Sequence, residues 1–123
     1  MNPVKDLKGE RPMNDQLSAP GGRAFNLAQF IDYADGSVVS KTLLKKDTGN
    51  ITLFAFDKGQ GLSEHTAPFD AVVYILDGRA EIAINGRAQR VDAGEMIVMP
   101  AHQPHALMAE EPFKMLLVMI RGN

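Results

Sequence analysis

The 123-residue sequence contains no cysteine, which excludes disulfides, thiolate nucleophiles and Cys-ligated metal clusters. It also lacks an excess of charge of one sign: thirteen Lys and Arg stand against fifteen Asp and Glu, a formal net charge of -2. No broad basic field exists to neutralise phosphates, so nucleic acid is not an expected partner. Long apolar runs are missing as well. The longest, Ala71 to Leu76 and Met115 to Ile120, fall far short of the roughly 20 residues that cross a bilayer, and no membrane partner is expected. Met1 to Lys8 holds no apolar stretch of the secretory kind, so the expected compartment is the cytoplasm. What is present, 45% hydrophobic and 23% charged residues, suits one globular domain, because a chain of this length buries roughly two thirds of its unfolded surface.

The first 24 residues carry three prolines, several glycines and mixed charges without apolar periodicity, and read as a flexible N-terminal arm. Residues 25–123 form the expected barrel domain. At its start Phe25, Leu27, Phe30, Ile31 and Tyr33 suit a short helix over Asn26 to Tyr33. From Ser37 onward, short branched and aromatic runs alternate with Gly, Asp, Asn or Pro, which is an all-β rhythm. Strands are expected at Val38–Leu44, Ile51–Asp57, Ala71–Leu76, Ala80–Ile84, Ala88–Val91, Met96–Val98, His105–Met108 and Phe113–Ile120. Asn85-Gly86 between two of them is a hairpin signal, since both central residues of a type I′ turn need φ > 0. Asp77-Gly78 and Ala93-Gly94 offer further tight corners. Eight strands with no covering helical layer point to a small barrel or a jelly roll.

The chemically suggestive side chains are His65, His102 and His105. Two histidines on neighbouring strands can aim neutral imidazoles into one cavity, where they suit Zn, Fe, Ni or Cu; the same residues also serve as hydrogen-bonded interior or surface groups. Met96, Met99, Met108, Met115 and Met119 fit either a core or an adaptable pocket wall, and Phe54, Phe56, Phe69, Tyr74 and Phe113 read as core first. Glu64 adjoins His65, but neighbours in extended chain diverge, which argues against a shared site.

The stretch from Gly59 to Gly78 resembles the first cupin motif, G, five residues, H-x-H, three or four residues, E, six residues, G. Gly59, His65 and Gly78 fall on its positions. Gly94 to Ala109 is similar to the second, G, five residues, P-x-G-x-x-H, three residues, N, with Gly94, Pro100 and His105 in place. The resemblance covers about residues 38–120 and implies an all-β cupin barrel, a double-stranded β-helix or jelly roll. In that family three histidines and a glutamate usually hold a metal. Here Ala67 stands at the second histidine, Ala71 at the glutamate, Ala109 at the asparagine and His102 at the motif's glycine.

The resemblance therefore implies a depleted site. His65 and His105, with His102 as a further candidate ligand, would hold a divalent transition metal (Zn, Fe, Ni or Mn) weakly. Asp70 would join only if the chain bends beside Pro68. Phe69, Tyr74, Met96 and Met108 are the candidate walls around a small polar or anionic molecule. Three classes of function stay open: an enzyme of dioxygenase or isomerase type, a metal-free binding or sensing barrel, and a structural interaction module. A homodimer is expected, built on strand edges, with the arm laid across the partner and the Phe25 to Tyr33 stretch supplying apolar surface.

Overall fold

The computed structural model describes residues 16–122. The first fifteen residues of the expected arm lie outside the described residues. Nine strands follow: β1 (Gln16–Leu17), β2 (Val38–Lys46), β3 (Gly49–Phe56), β4 (Gly61–His65), β5 (Asp70–Ile84), β6 (Arg87–Asp92), β7 (Met96–Met99), β8 (His105–Met108) and β9 (Phe113–Ile120). They pair antiparallel in the order β1-β2-β3-β9-β5-β8-β4, with β6 and β7 also on β5. No helix forms among the described residues.

The curl depends on β5. Its first half pairs with β9 and β7, and its second half with β8 and β6. The expected corner at Asp77-Gly78 is a bend inside this one 15-residue strand, with a register shift between Ile75 and Asp77. Only glycine serves there: Gly78 has φ 72°, and a Cβ on it would stand 2.1 Å from the Pro112 carbonyl oxygen. The Asn85-Gly86 turn forms as expected, with φ 54° and 76°.

Alternation along the strands separates two faces. Val73, Ile75, Ala80 and Ile82 of β5 are fully buried, together with Phe56, Phe113 and Met115. These side chains fill the barrel, and the Phe56 and Phe113 rings stack at 4.5 Å between centroids. On the outer face of β2 and β3, Leu43, Leu53 and Ala55 make a second cluster with Ile31, flanked by Phe25, Leu27, Phe30 and Tyr33.

That second cluster corrects the expectation of a short helix over residues 26–33. Within residues 26–33 a single turn forms over 27–30, in which Phe30 N donates to the Leu27 carbonyl at 3.1 Å, and Gln29 N donates to Asn26 Oδ1 at 3.0 Å. One isolated turn gains too little to propagate as a helix, and leaving it lets the apolar side chains spread over the sheet. The stretch packs on its own barrel, with Ile31 buried and Phe25, Leu27, Phe30 and Tyr33 half-buried. Tyr33 Oη donates to Asp77 at 2.5 Å, Lys114 Nζ to the Ala28 carbonyl at 2.6 Å and Lys41 Nζ to the Phe30 carbonyl at 2.8 Å.

Candidate functional site

β4 and β8 bring two histidines together. Leu62 pairs with Leu107, and a register shift between Leu62 and His65 puts His65, not Glu64, opposite His105. His105 lies two residues before buried Leu107 and so shares its inward face; it is only 7% exposed. His65 is exposed at the rim. The rings meet edge-on, 4.3 Å between centroids, with Nε2 to Nε2 at 3.1 Å.

The outer nitrogens decide what lies between the inner ones. His65 Nδ1 is 2.8 Å from the Ser63 carbonyl oxygen, and His105 Nδ1 is 3.2 Å from that of Gln103. Carbonyl oxygens only accept, so both Nδ1 atoms carry hydrogens, and in the neutral rings both Nε2 atoms present lone pairs to each other. Two facing lone pairs at this distance call for a cation between or beside them. A proton shared by the pair meets that need, and a metal ion does equally. A second proton on the pair is opposed: burial holds the His105 pKa below its ordinary value and the neighbouring His65 pushes the same way, against the Gln103 carbonyl.

The other candidate residues are placed as follows. Ala71, at the family's glutamate position, is buried and faces inward. Asp70 points elsewhere: its Oδ1 accepts from Ala101 N at 2.8 Å. His102 is exposed in a turn with φ 66°, and its N donates to the Ala67 carbonyl at 2.8 Å. Among the described residues no three His, Asp or Glu gather as a metal-holding group, so neither Asp70 nor His102 joins the pair. Phe69 is half-buried under the Arg121 guanidinium, 5.6 Å from its ring centroid. Tyr74, Met96 and Met108 are exposed on the outer face. The cause is alternation: Val73 and Ile75 flank Tyr74, Ile97 follows Met96 and Leu107 precedes Met108, and those neighbours face in.

Sequence reasoning missed Arg87 and Gln89. With Ile84, Asn85, Ile97, Val98, Pro100 and Gln103 they line a cavity of about 550 Å³ between the edges at β6 and β7. Asn85 Nδ2 donates to Gln103 Oε1 at 3.0 Å, and the Gln103 backbone carbonyl accepts from His105 Nδ1, so this cavity lies on the Nδ1 side of His105, and neither histidine is among its lining residues. The signal was available, because alternation counted back from buried Val91 reaches both residues.

A single β-chain that crosses between two faces at Gly78, with His105 on the inner one and His65 meeting it at the rim, defines a double-stranded β-helix of the cupin type. Residues 52–119 match the cupin domain family. The chain belongs to that family. A solved conserved protein of unknown function from Streptococcus pyogenes is 41% identical, with a TM-score of 0.81 over 85% of this chain and 91% of that one. A cupin 2 conserved barrel domain protein from Leptotrichia buccalis is 44% identical, with a TM-score of 0.77, and the match covers 79% of this chain and 47% of that longer one. Salicylate 1,2-dioxygenase from Pseudoaminobacter salicylatoxidans shares the fold at 17% identity, with a TM-score of 0.63 over 68% of this chain and 26% of that one. No curated protein matches the chain.

Proposed function

We propose that this cupin binds a small oxygen-bearing molecule at the His65–His105 pair, together with a weakly held divalent transition metal. The observation that carries the reading is the convergence of two Nε2 lone pairs at 3.1 Å, each ring fixed from behind by a backbone carbonyl. Such a carbonyl fixes the tautomer and orientation of a ligating histidine. The spacing also fits the donor set: two nitrogens each about 2.1 Å from one ion can stand this far apart. When bound, such an ion supplies a Lewis-acid centre that polarises a ligand oxygen. The chain's own residues hold and orient: His105 from the buried side, His65 from the rim, with the apolar interior behind them excluding water.

Two imidazoles leave most of the coordination to water or ligand, which makes the metal easy to strip. Titration of the purified, chelator-treated protein with Ni²⁺ or Mn²⁺ tests this. Binding that is lost in both His65→Ala and His105→Ala supports the reading. Absence of binding to the unaltered protein overturns it in favour of a metal-free barrel whose pair shares a proton and holds an anionic ligand by hydrogen bonds.

We also propose that a second copy of the chain covers the outer face of β5, β7 and β9. Tyr74, Met96, Val98 and Ile120 are exposed there, with Tyr74 opposite Met96, Val72 opposite both Val98 and Val118, and Asp70 opposite Ile120. Contiguous apolar surface of this kind marks an interface, and a two-fold axis lets one patch cover itself. Light scattering returning twice the chain mass supports this, and the mass of one chain refutes it.

A further inference from the structure

The geometry points to Arg87 and Gln89 as the anion-recognising wall of the site, and to a small carboxylate with a second oxygen donor as its ligand. This deepens the reading above and rests on it for the position of the second oxygen. Register supplies the first argument. His65 pairs with His105, His105 with Ile84, and Ile84 with Arg87, so four strands carry one continuous row. The adjacent row runs Leu62, Leu107, Ile82, Gln89. Leu107 and Ile82 are buried, which makes this the inner face. Arg87 and Gln89 belong to it by alternation from Val91, and both line the cavity.

Charge supplies the second. Among the described residues, the lining of that cavity includes one cation, three side-chain amides and no carboxylate. On the same stretch of chain Arg79 pairs with Glu111 and Arg90 with Asp92. Arg87 has no such ion pair among the described residues, and its planar fork is free to take a carboxylate with two parallel hydrogen bonds. The pair itself adds positive charge, as shared proton or metal, and Ala67 and Ala71 put no carboxylate beside it. Negative charge at this site must come with the ligand.

Distance supplies the third. Strands stand about 4.8 Å apart, so Arg87 lies roughly 10 Å from His105 at the backbone, with Ile84 between them. An arginine side chain spans much of that gap. What remains suits a molecule a few bonds long, its carboxylate on Arg87 and Gln89 and its other oxygen towards the histidines, over a floor of Ile84 and Ile97. Short 2-oxo and 2-hydroxy acids have this shape.

The test uses the whole chain, pyruvate as probe and its methyl ester as uncharged counterpart, followed by ¹⁵N NMR with and without Mn²⁺. Pyruvate is expected to shift the Arg87 Nε–H and Gln89 amide signals, and Arg87→Gln to weaken its binding by about tenfold or more. Arg90→Gln leaves pyruvate affinity unchanged, and the ester does not bind. Mn²⁺ titrated alone keeps its affinity in Arg87→Gln and loses it in His105→Ala. The inference is overturned if Arg87→Gln binds pyruvate as well as the unaltered chain does, or if the Arg87 and Gln89 signals stay still up to about 50 mM pyruvate. Failure of Mn²⁺ to bind the unaltered chain defeats the metal reading alone, since Arg87-dependent pyruvate binding is read separately.

Discussion

A double-mutant cycle on His65 and His105 tests the arrangement of protons that the site implies. Both Nδ1 atoms donate to carbonyls, so the contact at 3.1 Å is a hydrogen bond only when one ring is charged. At pH 6 a proton taken up by the pair lets one ring donate Nε2–H to the other. A hydrogen bond to a charged group contributes about 1.5–3 kcal/mol, and solvent access to His65 reduces the expected coupling to about 1 kcal/mol. At pH 8, without metal, two lone pairs face each other and the coupling falls to zero or changes sign. Urea unfolding of the unaltered chain, His65→Ala, His105→Ala and the double variant at both pH values gives the interaction term directly, provided the slopes agree. A favourable coupling of equal size at pH 6 and pH 8 would refute the reasoning. It would mean that one neutral ring carries its hydrogen on Nε2 and has given up its carbonyl.

The other expected outcomes follow from burial and backbone geometry. Gly78→Ala combines a left-handed φ with a Cβ 2.1 Å from the Pro112 oxygen, and should cost about 3 kcal/mol or more; a loss under about 1 kcal/mol in chemical denaturation would show that β5 bends without that glycine. Because burial holds the His105 pKa below its ordinary 6.5, the unfolded chain takes a proton there that the folded chain refuses. The stability from this group is therefore complete above about pH 6.5 and declines as the pH falls from there towards the folded value. Denaturation midpoints between pH 7 and pH 5 should show that slope, and His105→Leu should flatten it; an identical slope in the variant would contradict the assignment. His102 pays the left-handed strain of a non-glycine residue at φ 66°, so His102→Gly should leave stability unchanged or raise it by up to about 1 kcal/mol, and a loss of folding would show that the imidazole is structural.

The barrel was legible because its signals are local. Continuous apolar runs gave the inner strands, and Asn85-Gly86 gave a hairpin through the left-handed tolerance of its residues. Two features escaped for want of a local signature. β4, Gly61–His65, alternates little and is mostly exposed or half-buried, so its pairing with β8 has no counterpart in composition. Asp77-Gly78 carries the same residues as a turn, and only the Pro112 carbonyl across from it makes the position a bend in a continuing strand. The Phe25 to Tyr33 stretch shows the limit of periodicity in another way. Its apolar spacing suits a helix, but the outer face of β2 and β3 offers a broader surface, and tertiary burial overrides a weak local preference.

The candidate site was legible where a motif named a position and obscure where only the pleat did. His65 and His105 stand on motif positions, and β4 pairs with β8 so that the two meet. Met96, Met108 and Tyr74 were nominated by nearness in sequence, yet in a strand nearness by an odd number of residues means the opposite face. Met108 is three residues from His105 and is exposed for that reason. The same parity recovers what the motifs omit. Val91 is buried, so the residues two and four before it share its face, and the register of the Asn85-Gly86 hairpin then lines Gln89 up with Ile82 and Arg87 with Ile84. From Ile84 one further strand leads to His105. Arg87 and Gln89, on a hairpin that the motifs treat as spacer, thus lie two strands from the motif residue His105, and parity places them on its face.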